Sequence, residues 1–417
     1  MTTDFPQSYA NGVCRYWLLD PKITFLNHGS FGACPKHVLD VQSNFRERLE
    51  REPVRFFLRE CEALMGEAAE ALGNLIGANP DDLAFVSNAT AGVNTVLRSL
   101  TFSPGDEILI ADHGYNACNN AARFVADKSG AKVVVAPFPF PLQSEDEVVD
   151  ALLAHVTPGK TKLLLIDHIT SPTGIVLPVE RIVPAFAERG IDTLVDGAHA
   201  PGMVPLDLNA LGAAYYTGNC HKWLCAPKGA AFLHVRKDKQ QHGDEEPLIR
   251  PLSISHGANA KIGKHKRFRL EFDWTGTTDP TPWLCIPTAI RFLSEMLPIG
   301  LTELREHNRA MALAARAYLT NLFGTQIAVP ESMIGSLAAI VLPDHTPPIP
   351  VSEPPTGVAP LQENLFTKHN IEVPIIATNP PLVGWPKQFV RISAQIYNDP
   401  EEYRRLGKAL VEEISAS

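Results

Sequence analysis

From about residue 83 to 235 the chain alternates short β-branched or aliphatic runs with amphipathic stretches of helical spacing. The runs are "LAFVSN", "EILIADH", "KVVVAP", "KLLLIDH", "DTLVDGAH" and "AAFLHV". Strands of this kind, separated by helical segments, predict a parallel sheet with crossover helices. Upstream, positions 36–77 carry apolar residues at helical spacing broken at Pro53, which predicts two helices separated by "REPVRFF". After Trp283, helical "CIPTAIRFLSEMLPIG" and "LTELREHNRAMALAARAYLTNLFG" precede strand-like "SLAAIVLP", "IEVPII" and "QFVRISA", and a last helix is expected from about 400. Two stretches fit neither period. Positions 237–280 are polar and partly basic, an excursion whose "KIGKHKRFR" reads as a solvated loop or a subunit contact. The Pro-rich "PDHTPPIPVSEPPTG" reads as a surface loop, of a length that can also cover a site.

These patterns divide the chain into an arm (1–35), a large α/β domain (36–282) with a mainly parallel sheet, and a small C-terminal α+β domain (283–417). A length of 417 residues suits two domains in one body. Hydrophobic residues make up 45% and charged ones 20%, the balance of a globular protein rather than a disordered one. The net charge of −9 offers no broad basic surface for nucleic acid or an anionic membrane, so a small-molecule partner is expected. Seven scattered cysteines without a CxxC pair argue against a disulfide framework or structural zinc. The first residues lack a basic segment followed by an apolar one, and no run approaches a membrane span. A reducing, cytoplasmic setting is the expectation.

Ligands of parallel sheets collect at the carboxyl ends of the strands, and four groups fall there. "SNATAG" follows a strand and opens a helix, so its N–H groups and Thr90 hydroxyl suit an anion, or simply cap the helix. "ADHGYNA" ends a strand with His113 and Tyr115, an aromatic able to stack on a flat ligand or to pack at the sheet edge. "LVDGAHAPG" delivers Asp196 and His199 into a turn of small residues, and a carboxylate so placed requires a partner. A metal on this Asp-x-x-His pair, with His113, His168 or His221, is disfavoured because no spacing fixes the other ligands. Last comes "TGNCHKWLCAPKG", whose Lys222 lies in an otherwise uncharged run. A lysine there either snorkels or has its amine freed to form a Schiff base. Phosphate cradle, stacking ring, buried carboxylate and activated amine together are what pyridoxal 5′-phosphate requires.

The ordered set "SNATAG", "DHGYNA", "SPTG", "DGAHAPG", "TGNCHKW", "WTGTTD" and "FVRIS", with "FLNHGSFGACP" and "REPVRFF", resembles fold-type I pyridoxal phosphate enzymes of the class V aminotransferase group. Within that group it is most similar to the isopenicillin N epimerase-like branch, from about residue 24 to the C-terminal helix. The resemblance implies that Lys222 forms the Schiff base, Asp196 partners the pyridine nitrogen and His199 lies near the phenolic oxygen. It makes Tyr115 the stacking residue, with His113 the weaker alternative, and gives the phosphate to Ala89 and Thr90, helped by Asn219 and His221. Thr277 would reach the cofactor of a neighbouring subunit, which implies a homodimer. Arg391 would hold the substrate α-carboxylate, Asn27 would line the same pocket, and Arg55 would meet a distal substrate group or an interface partner.

The implied activity is epimerisation or racemisation at the Cα of an amino acid. The alternative is a β-C–S lyase on a cysteine derivative, similar to hercynylcysteine sulfoxide lyases; a third reading, from another class, is a non-catalytic pyridoxal phosphate-binding protein, which retention of Lys222 and Asp196 disfavours. Persulfide transfer of the cysteine desulfurase kind is not expected, because the last cysteine, Cys285, lies far upstream of Arg391.

Overall fold

The structure is a computed structural model that describes residues 4–242, 246–262, 266–347, 358–377 and 388–415. Its main sheet comprises β1 (Leu83–Val86), β2 (Glu107–Ala111), β3 (Lys132–Ala136), β4 (Thr161–Asp167), β5 (Asp192–Asp196), β6 (Tyr215–Asn219) and β7 (Ala231–Val235). Their order across the sheet is β1-β7-β6-β5-β4-β2-β3. Only β7 runs against its neighbours. The alternating pattern predicts it parallel, but the connection from β6, residues 220–230, is shorter than the dozen or more residues that a crossover needs, so the chain returns antiparallel.

Along β2 and β4, Leu109, Leu164 and Ile166 enter one apolar core and Ile108, Ile110, Leu163 and Leu165 enter another. Burial on both faces explains why these strands read as continuous apolar runs. The helices include α1 (Lys36–Arg51), α2 (Cys61–Ile76), α3 (Ala89–Ser99), α4 (Asn116–Ser129), α5 (Glu145–Ala154), α6 (Val179–Ala187), α7 (Leu301–Phe323) and α8 (Pro400–Ser415). In "REPVRFF" the break is narrower than the sequence suggests. Glu52 leaves helical geometry and its carboxylate caps Arg55 N–H, Pro53 opens a short helix, and Phe56–Glu60 continue as a π turn into α2.

A second, antiparallel sheet has the order β8 (Leu337–Val341), β10 (Gln388–Ser393), β9 (Ile375–Ala377). "IEVPII" is not one strand. Ile371–Glu372 pair in parallel with Thr24–Phe25 of the arm, and the chain reaches β9 only after Pro374, which has no N–H to continue a ladder. The basic stretch is not loop throughout either. Arg267–Phe272 is a helix, and it buries Phe268 and Phe272 in the core shared with Ile108. Positions 263–265, and 348–357 of the Pro-rich segment, lie outside the described residues. Among the described residues no helix is long and apolar enough to cross a membrane.

Candidate active site

Strands β1, β2, β4, β5 and β6 end on one edge of the main sheet, and a cavity of about 430 Å³ opens there. Ala89, Thr90, Tyr115, Asp196, His199, Asn219, His221 and Lys222 all line it. Helix α3 begins at its edge. Asn88 caps the helix by accepting from Ala91 N–H at 2.8 Å, and Asn219 at the end of β6 accepts from Ala89 N–H at 2.8 Å. The positive end of α3 is thereby fixed against the cavity wall.

Asp196 is buried. One carboxylate oxygen accepts from Ala198 N–H at 3.0 Å and the other from the Cys118 thiol at 3.1 Å. Its register partner on β4 is Asp167, also buried and also on the cavity wall. Burial raises both carboxyl pKa values, and the Asp196 charge pushes Asp167 further up. Two adjacent strands each ending in aspartate is the sequence signal for Asp167, whose acidic side chain closes the apolar run of "KLLLIDH".

Lys222 Nζ lies 3.0 Å from His199 Nε2, and Trp223 Nε1 donates to His199 Nδ1 at 3.3 Å. Burial and the charge of Arg391 lower the Lys222 amine to about 8, against the pull of Asp196 and Asp167. Burial and the nearby Lys222 hold His199 far below an ordinary histidine, hence neutral. The turn carrying Lys222 is held on two sides by glycines. Gly202 has φ +90°, and a Cβ there would lie 2.5 Å from Trp223 O. Gly32 of the arm has φ +71°, and a Cβ there would lie 2.9 Å from Lys222 Cα.

Tyr115, not His113, reaches the wall. His113 is fully buried and stacks on Phe138 with centroids 3.9 Å apart, while Tyr115 is 42% exposed and its N–H donates to Asp167 at 3.4 Å. Arg391 stands behind the wall, donating to Ser171 O and, at 3.0 Å, to Ser30 Oγ; both serines line the cavity. Asn27 does not line it. Its amide oxygen accepts from Ser30 Oγ at 2.5 Å and its amide N–H donates to Glu372 at 3.0 Å, so it supports the serine that meets Arg391. Thr277 is exposed and off this wall. Arg55 is also off it, paired at 3.1 Å with Glu60. Among the described residues no histidine, cysteine and carboxylate cluster suits a metal ion.

A parallel-sheet edge carrying a helix start, paired carboxylates and a desolvated lysine defines a class of protein, and comparison agrees. Residues 32–348 match the family model "Aminotransferase class-V", and the chain belongs to that family, which uses pyridoxal 5′-phosphate. Its fold is that of the fold-type I enzymes: the cystine C–S lyase C-DES superposes with a TM-score of 0.73 at 20% identity, covering 94% of this chain and 98% of that one. The cysteine desulfurase CsdA of Escherichia coli gives 0.73 at 17%, covering 99% and 100%. Among particular relatives, an isopenicillin N epimerase of Amycolatopsis lactamdurans is 36% identical over 412 residues, covering 94% of this chain and 96% of the relative. A probable chloroplastic L-cysteine desulfhydrase of Arabidopsis thaliana is 31% identical, covering 94% and 83%.

Proposed function

We propose that this chain catalyses proton transfer at the Cα of an amino-acid substrate, as an epimerase or racemase of the isopenicillin N epimerase kind. The observation that carries the reading is the half-buried Lys222 amine, 3.0 Å from a neutral His199 inside the cavity that also holds Asp196. The donor set fits the family's cofactor. The α3 start with Ala89 and Thr90, aided by Asn219 and His221, suits the phosphate; Asp196 suits a protonated ring nitrogen; Tyr115 suits the ring face; His199 suits the phenolic oxygen. When bound, the cofactor supplies an electron sink for the charge left on Cα.

The chain's own residues do the rest. Arg391, its fork fixed by Ser30 and Ser171, is the α-carboxylate anchor. Lys222, with its amine held near 8, takes the Cα proton from one face, and inversion requires a proton delivered to the other. Asp196, oriented by the hydrogen bonds it accepts from Ala198 N–H and the Cys118 thiol, would partner the ring nitrogen. Asn27 braces Ser30. The exposed Thr277 and Arg55 are assigned to a homodimer interface, with Thr277 reaching the cofactor phosphate of the neighbouring subunit. Free cysteines suit a cytoplasmic setting.

A second reading, a C–S lyase on a cysteine derivative, is favoured by the relatives named L-cysteine desulfhydrase, one of them at 31% identity over nearly the whole chain. Proton NMR in heavy water separates the two. Loss of the Cα proton with the substrate otherwise intact, followed by appearance of the opposite enantiomer, is the expected result. Pyruvate with a released sulfur compound establishes the lyase instead, and no exchange with any amino acid or cysteine conjugate overturns both.

A further inference from the structure

We propose that Trp223 is a positioning residue: its indole N–H fixes His199 in the tautomer protonated on Nε2, so that the histidine donates to the Lys222 amine and holds it neutral for attack on a carbonyl. The inference rests on the cofactor reading above only for the identity of that carbonyl.

An indole N–H can only donate. At 3.3 Å from His199 Nδ1 it needs a lone pair there, so the single proton of the neutral ring sits on Nε2. Nε2 faces Lys222 Nζ at 3.0 Å. An ammonium has three donors and no acceptor, so it would set donor against donor; a neutral amine presents the lone pair that the N–H requires. The hydrogen bond therefore selects the form of the lysine that can attack. Addition to an aldehyde forms the C=N bond from that lone pair and releases one water, and it cannot start from the ammonium.

Burial, first, and the Arg391 guanidinium favour the neutral amine; Asp196 and Asp167 favour the ammonium. The His199 bond adds to the neutral side. Trp223 is itself held in place, being buried with its ring 4.9 Å from that of His28. His28 in turn contacts Tyr397 OH at 2.7 Å and Lys222 O at 3.1 Å. The indole is thus fixed relative to the backbone of the lysine that it governs.

The test uses the full chain stripped of cofactor. Long-range proton–nitrogen NMR of protein labelled with nitrogen-15 histidine, the His199 signal being identified by its loss in His199→Gln, reports the tautomer in the wild type without any change at Trp223. A neutral ring with Nε2–H near pH 7 is expected; Nδ1–H or a charged ring overturns the proposal. Trp223→Phe keeps an aromatic ring and loses only the donor. Its covalent capture of pyridoxal 5′-phosphate, followed by absorbance across pH, should shift to higher pH by about one unit, roughly tenfold slower at a fixed pH below the lysine pKa. A profile that superimposes on the wild type overturns it as well. If wild-type protein captures no pyridoxal 5′-phosphate, the cofactor reading is what fails, and the NMR result still decides the tautomer.

Discussion

Lys222 and Asp167 make opposite demands on the same cavity, and substitution separates them. Lys222→Ala should abolish covalent capture of pyridoxal 5′-phosphate while leaving the far-ultraviolet dichroism of the fold, and a retained Schiff-base absorbance band would refute the site. Asp167→Asn should do something less expected. Asp167 opposes Asp196 across a strand pair with its pKa raised, so the folded wild type loses stability as pH rises above the unfolded carboxyl value of about 4. Two carboxylates sharing a buried site disfavour each other's charged form. The asparagine variant should therefore melt higher than wild type without cofactor, more so at about pH 8 than at about pH 5, yet gain less from added pyridoxal 5′-phosphate. Differential scanning fluorimetry at both pH values reads both effects; equal melting curves throughout would count against repulsion between the carboxylates. Asp196 was legible because it ends an apolar strand in a turn of small residues, and Lys222 because it lies in an otherwise uncharged run just after a strand. Ser30 and Ser171 were not, since a serine acquires meaning only from what the fold brings beside it, here the guanidinium of Arg391.

At the scale of elements, period and length explain both what could be read and what could not. Six strands of the main sheet could be located from their apolar runs, whereas β6, whose Thr217, Gly218 and Asn219 interrupt such a run, is missing from that set, the reversal of β7 depends on the length of one connection and the split of "IEVPII" on one proline. The same connection explains why glycine is needed at 202. Gly202→Ala puts a Cβ against Trp223 O at a φ that other residues avoid, which should cost roughly 1–3 kcal/mol. Chemical denaturation of the apoprotein measures that loss, and an unchanged midpoint would show that the Lys222 turn yields more readily than the geometry allows.

The whole molecule carries a set of histidines buried in neutral form, which burial lowers to about 3 at His28 and His113 and about 4 at His168 and His234. A group whose folded pKa lies below its unfolded one keeps its full contribution to stability above the unfolded value, near 6.5, and loses it as pH falls toward the folded value. The melting temperature should thus begin to drop below about pH 6.5, and a flat profile down to pH 5 would contradict these burials. At this scale too, on the proposed homodimer with shared sites, mixing Lys222→Ala with Thr277→Ala protein should restore up to about a quarter of wild-type activity through hybrids with one intact site. No recovery would remove Thr277 from the neighbouring site. The N-terminal arm has a further consequence. Its backbone is stitched to the second sheet through Leu26 and Gly29, which bond Ser393, and Ser30 meets Arg391, while His28 and Gly32 rest on the backbone of Lys222. Those few residues are a ruler laid between the Lys222 amine and the Arg391 guanidinium, so in the proposed function the separation at which a substrate would be gripped is gauged by a stretch of chain that belongs to neither sheet.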